Sequence, residues 1–219
     1  MTAVGRVLRC VLTVVLVGGA ATACGAEPQI VPLGGAPSGV VERPWGTVRT
    51  FPSMKKAQPP APSDARFVAQ MVVHHEQAVQ LSELVLGHTG IDGRVEAAAR
   101  FIAQDQTREI ETMEAWLTAW KVTSPIGEHS HHMPGMVDDS QVRRLADLVT
   151  SDAQGEFVRL MILHHEGAVE MSTGLLGEGT NDFALAVARH LIREQGVEIR
   201  YLRGLSADLY SSVSDGRPR

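Results

Sequence analysis

The chain has 219 residues, with 20 Lys and Arg against 25 Asp and Glu, for a formal charge of −5 with His neutral. That length allows one domain of ordinary size with a real core, and without a basic stripe nucleic acid is excluded as a natural partner. Cys10 and Cys24 are the only cysteines, too few for a disulfide framework.

The chain begins like an export signal. Arg6 and Arg9 make a basic start, Val11 to Val17 a short apolar run, and Gly18 to Ala23 a small-residue cleavage region. The run is too short to span a bilayer as a mature helix. Cys24 directly after Ala21-Thr22-Ala23 resembles a bacterial lipobox, although Ala21 stands where Leu or Val is usual. The expectation is a signal peptide over 1–23 and lipidation at Cys24, which would anchor the protein to the extracytoplasmic face of the cell membrane. Ordinary secretion with a free thiol is the alternative. Loss of Arg6 and Arg9 leaves 18 basic against 25 acidic residues, a mature charge of −7. With Cys10 removed and Cys24 lipidated, any metal chemistry must use His, Met, Glu and Asp.

Eight of the eleven prolines lie between residues 26 and 63, with little periodicity. Residues 24–63 therefore read as a lipidated cysteine and an extended tether, with Trp45 free to dock or not. The domain is expected over 64–210, and 211–219 as a tail.

After Asp64, apolar residues recur at 67, 71, 74, 78, 81 and 85, the spacing of one helical face. Past a turn at Gly87 to Gly93, Val95, Ala99, Ile102, Gln106, Glu109, Met113, Trp116 and Trp120 mark a second helix. The pattern then returns. Phe157, Met161, His164, Ala168, Met171 and Leu175 repeat the first stripe, and Ala184, Ala188, Leu191, Gln195, Glu198, Leu202, Leu205 and Leu209 the second. The repeats, 64–120 and 152–209, align at an offset of 90 before the turn and 89 after it. A Pro/Gly/His loop over 123–137 and a short amphipathic segment begun by Asp138 separate them. Two hairpins with apolar stripes must bury those stripes together, and the expected fold is an all-α four-helix bundle.

The residues that interrupt the stripes carry the chemistry. His74 and His164 lie on the seam, and His75 and His165 stand about 100° further round. Gln106 with Glu109, and Gln195 with Glu198, hold equivalent seam positions on the partner helices. His74 lies sixteen residues before the first turn and Gln106 sixteen after it. At about 1.5 Å per residue both sit roughly 24 Å from that turn. The second hairpin matches, so the sequence predicts a polar layer inside an apolar bundle. Such a layer could be a hydrogen-bonded core that fixes register. It also supplies what a divalent ion such as Zn(II), Cu(II) or Fe(II) requires, neutral imidazole beside carboxylate. Glu76 and Glu166 follow the His pairs and point toward the flank, as outer supports at most. A second candidate site is the loop His129, His131, His132, Met133 and Met136, whose imidazoles and thioethers suit copper in either oxidation state. The bland alternative is a polar surface loop, with Met133 or Met136 folding onto the bundle.

Met71 to Val79 with Gln106 to Ile110, Met161 to Val169 with Gln195 to Ile199, and His129 to Met136 together resemble the domain-of-unknown-function 305 family of the ferritin-like superfamily. The resemblance covers about 64–209. It implies a ferritin-like four-helix bundle, export and, for some members, copper binding or tolerance. Gln-x-x-Glu stands where ferritin-like di-iron enzymes carry Glu-x-x-His, so di-iron oxygen chemistry does not carry over. The expected function is a membrane-anchored, extracytoplasmic protein that binds or buffers a transition metal, copper first, with zinc or iron open. A metal-dependent oxidase and a structural or interaction lipoprotein are the alternatives. No catalytic nucleophile, phosphate loop or hydrolytic constellation is recognisable, and the sequence names no protein partner.

Overall fold

The computed structural model describes residues 39–53, 58–122 and 133–214. Its elements in chain order are β1 (Val40–Arg43), β2 (Gly46–Arg49), α1 (Pro62–Leu86), α2 (Gly93–Ala119), α3 (Asp139–Asp147), α4 (Thr150–Glu178) and α5 (Asp182–Ser214). Among the described residues no helix is long and apolar enough to cross a membrane.

The expected hairpins form. α1 runs along α2, α4 along α5, and the hairpins join chiefly through α1 against α4. Asp92 ends the first turn by accepting the Arg94 N–H, and Asn181 ends the second by accepting those of Phe183 and Ala184. Both satisfy amide donors that a helix start leaves open. α1 begins at Pro62, and Asp64 closes its first turn from within, reaching back to the Ala61 N–H. Its fully buried carboxylate accepts from the Ala61, Thr180 and Asn181 amides and the Thr180 hydroxyl, tying the start of α1 to the α4–α5 turn.

The apolar core falls into two halves. One gathers Leu81, Val85, Val95 and Ile102 with Phe157, Met161 and Leu202. The other gathers Phe67, Met71, Met113 and Trp116 with Leu175, Phe183 and Leu191. The turn end of each hairpin therefore packs on the open end of the other, and the His, Gln and Glu positions fall at the level between the halves.

The tether expected over 24–63 is not a plain extended chain in its described part. β1 and β2 pair antiparallel, Val41 opposite Val48 and Arg43 opposite Gly46. Gly46 adopts φ +117, a conformation that favours glycine, and lets the chain reverse at Pro44-Trp45. The Trp45 ring packs against Phe101 and Tyr201, with centroids at 6.5 and 5.9 Å. Arg43 lies over Phe101 and pairs with Asp105. Period-2 reading finds little in so short a hairpin, whose stability comes from the bundle beneath it.

The end of the inter-hairpin loop is bolted into the bundle as well. Gln77 donates to the Val137 carbonyl and accepts from its N–H, both at 2.7 Å. At Gly167 the Pro134 backbone comes so close that a Cβ would lie 2.1 Å from the Pro134 oxygen. Gly167→Ala should therefore cost about 1–3 kcal/mol, because backbone must move. Gly174 on the same helix has nothing within 4 Å of its Cβ position, so Gly174→Ala should stabilise by about 0.5–1 kcal/mol. Urea unfolding of the two variants checks the opposite signs.

Candidate metal centre

His74, His75, His164 and His165 are each no more than 1% exposed, and Gln106, Glu109, Gln195 and Glu198 no more than 9%. The polar layer read from the sequence is present. Its internal bonding differs from a simple ring of ligands.

His75 Nε2 lies 2.8 Å from Glu109 Oε2, and His165 Nε2 lies 2.6 Å from Glu198 Oε2. An ionised carboxylate only accepts, so each Nε2 carries the proton and each Nδ1 keeps a bare lone pair. Those Nδ1 atoms are buried and unpartnered among the described residues. Glu109 and Glu198, expected as ligands, each bond to an imidazole Nε2 here, the arrangement that carboxylate partners of metal-bound histidines also adopt. His74 is fixed the same way by a carbonyl, its Nε2 donating to Pro134 O at 3.0 Å, and its Nδ1 is likewise free.

His164 is the extreme case. Neither of its ring nitrogens has a well-formed partner among the described residues, the nearest being a weak contact toward the His74 backbone. Its ring lies 3.9 Å from that of His74, tilted by 42°. Burial drives its pKa well below 6.5, and neighbouring imidazoles push the same way. Burial also lowers His74 to about 3, against the bond to Pro134 that raises it. Both rings are therefore neutral, the state in which imidazole binds metal. Burial pushes Glu109 up, yet hydrogen bonds from His190 and His75 hold it down at about 2. Burial raises Glu198, with His165 opposing and the charges of Glu109 and Asp105 reinforcing.

The expected outer supports divide. Gln106 and Gln195 stay in the layer, each with a buried, unpartnered Oε1. Glu76 and Glu166 turn away, and Glu166 pairs with Arg203 on the surface. Met133 is buried, Met136 is partly exposed, and Pro134 between them closes over His74. The described end of the loop thus packs against the layer through Pro134. His129, His131, His132 and Cys24 lie outside the described residues. Among the described residues no three His, Cys, Asp or Glu side chains form a ready ligand set. What the layer offers is pairs of neutral imidazoles.

Sequence reading missed two contributors. His190 bonds to the other oxygen of Glu109 at 3.2 Å, so that carboxylate serves imidazoles from α1 and α5. Its repeat counterpart is Phe101, and a search for duplicated residues passes it by. Gln77, which holds the loop, corresponds to Gly167 in the second repeat and escapes for the same reason. Glu109, Glu198 and His190 also line a cleft of about 120 Å³ beneath β2.

These features can be set beside known proteins. The model for Domain of unknown function (DUF305) matches residues 64–206. A presumed secreted DUF305 protein from Streptomyces coelicolor is 34% identical, with a TM-score of 0.62 over 67% of this chain and 92% of that one. A DUF305 fragment from Deinococcus radiodurans is 32% identical, with a TM-score of 0.63 over 68% of this chain and 99% of that one. CopM in its Cu(I)-bound form is 28% identical, with a TM-score of 0.56 over 67% of this chain and 97% of that one. Ag-bound, Cu(II)-bound and apo forms of CopM match as well. No curated protein of established function matches. With the family model spanning most of the chain and its motifs on the layer histidines, the protein belongs to the DUF305 family.

Proposed function

We propose that the protein is an exported, membrane-anchored copper-binding protein that takes up monovalent copper in the histidine layer. The observation that carries this is His164, buried with neither ring nitrogen well partnered among the described residues, beside an equally buried His74. Leaving a polar group so costs about 1–3 kcal/mol, which a purely structural core would shed. The His75–Glu109 and His165–Glu198 bonds alone would suit a structural role. The His74–His164 pair does not.

The ion follows from the donors. Imidazole nitrogens serve copper, and an apolar interior disfavours added charge, so Cu(I) is preferred over Cu(II) in the layer. His74, His75, His164 and His165 are the proposed inner ligands with Glu109 and Glu198. His129, His131, His132, Met133 and Met136 form the proposed capture site at the loop. The similarity to CopM, matched in Cu(I)-, Cu(II)- and Ag-bound forms, supports a copper-type ion. Export and anchoring through Cys24 rest on the signal pattern, and the presumed secreted relative agrees with export.

Competition with a chromogenic Cu(I) chelator tests the reading. One Cu(I) per chain should bind in the layer, and His164→Leu should weaken it by at least about 100-fold. The same substitution should leave the apo protein folded and up to about 2 kcal/mol more stable, because an unmet desolvation cost disappears. Binding unaffected by His74→Leu and His164→Leu would remove the proposal.

Acid supplies a second check. An exposed histidine site loses metal below pH 6.5 as protons compete, by up to about tenfold per unit and ring. His74 and His164 hold no proton there, so protons should not compete with Cu(I) at these two rings, and affinity should fall less steeply from pH 7.5 to about 5 than at an exposed site. Apo stability should not stay flat. The unfolded chain protonates both rings below 6.5 while the native state does not. Stability is whole above 6.5 and falls as pH drops toward 3, by up to about 1.4 kcal/mol per unit for each ring. Urea midpoints of the apo protein at pH 7 and 5 measure the fall.

A further inference from the structure

We infer that ions enter and leave the histidine layer through the cleft under the β1–β2 hairpin, with His190 as the ligand that receives them at its inner end. This rests on the copper-binding reading and adds to it a route and a control element.

The two faces of the layer are built differently. On the loop face, Gln77 clamps Val137 and the Pro134-Gly135 backbone fills the Gly167 notch with no room for even a methyl group. His74 faces a carbonyl already in use. An ion arriving there would have to lift tightly packed backbone.

A hollow of about 350 Å³ lies outside that backbone, but none of the layer side chains lines it. On the hairpin face a cleft of about 120 Å³ reaches the layer through Glu109, Glu198 and His190, and it holds an ion and a few waters, a water taking about 30 Å³ of liquid volume. Four carboxylates, Asp105, Glu109, Glu194 and Glu198, line it with Arg43, Arg49 and Arg108, and Arg43 and Arg108 are both directed at Asp105. At its inner end Glu109 is shared, with His75 on one oxygen and His190 on the other. His190 is 3% exposed, and its Nδ1 has no partner among the described residues. An imidazole on the cleft wall with an unpartnered nitrogen, bound through one carboxylate to a layer imidazole, is placed to pass an ion inward.

The hairpin covers this entrance with side chains. Phe51, just past β2, packs edge-on against His190 at 5.1 Å. The Arg43–Asp105 pair and the Trp45 wedge between Phe101 and Tyr201 hold the hairpin down. The hairpin precedes the family-matched residues 64–206, so this cover lies outside the part that defines the family. Side-chain anchors on a short two-stranded ribbon release far more readily than interlocked backbone.

A cover changes rates of entry and exit together and leaves affinity nearly alone. The full chain, loaded with Cu(I) anaerobically, is mixed in stopped flow with excess chromogenic chelator. Arg43→Gln and Trp45→Ala should each speed release by about tenfold, with Kd changed less than about threefold. Arg43→Gln keeps the Trp45 wedge, so it remains informative if Trp45→Ala does not fold, which circular dichroism shows. His190→Phe, which installs the residue of the first repeat, should slow uptake and release. Release rates unchanged by both hairpin variants would overturn the route. So would faster release from Gln77→Ala than from either of them, which would place the entrance on the loop face. A wild-type chain that binds no Cu(I) removes the function itself, an outcome distinct from normal binding with indifferent hairpin variants.

Discussion

The organising constraint is that an imidazole cannot be left in oil without something to do. Four of them are buried at one level of this bundle, between two apolar halves that would pack well without them. Three are then held in one orientation from outside the layer. Glu109 and Glu198 accept from Nε2 of His75 and His165, and Pro134 accepts from that of His74. Their Nδ1 lone pairs are left without partners among the described residues, and burial keeps His74 and His164 free of added protons. Remove the carboxylates and carbonyl, and the rings would turn to satisfy one another.

The duplicated hairpin explains why such a layer exists, and its departures from duplication explain how the layer is used. A symmetric pair of hairpins would present the same face twice. Two substitutions break that symmetry on opposite sides. Gln77 and Gly167 are counterparts, and between them they clamp the loop and make room for it. Phe101 and His190 are counterparts, and between them they seat Trp45 and Arg43 on one side and carry an extra imidazole on the other. One face becomes backbone-tight, and the other becomes a covered cleft. A repeat fold thus gains direction from a few side chains.

Much of this was legible in the sequence because it depended on period. The helices, the hairpin pairing and the level of the layer follow from spacings of three and four and from counting residues to each turn. The same arithmetic could not separate a ligand from the group that orients a ligand. Glu109 sits at the right height for either role, and its 2.8 Å contact to His75 Nε2 is a matter of side-chain geometry that spacing does not carry. Nor could a search for duplicated residues find His190 or Gln77, whose value lies in not being duplicated. The Pro-rich start misled for a further reason. Composition marks a segment as unable to form its own core, and says nothing of one that borrows a core through Trp45 and Val48.

The two carboxylates are where these threads meet. Both are buried and each accepts from an imidazole of the layer, so the repeats place them alike. Their surroundings differ. Burial pushes Glu109 up but two imidazoles hold it down, whereas burial raises Glu198, with only His165 opposing. The second imidazole on Glu109 comes from His190, and the counterpart of His190 in the first repeat is Phe101, so Glu198 has no equivalent donor. The break in duplication therefore reaches the electrostatics of the layer itself, and two carboxylates at matching heights are held with unequal strength.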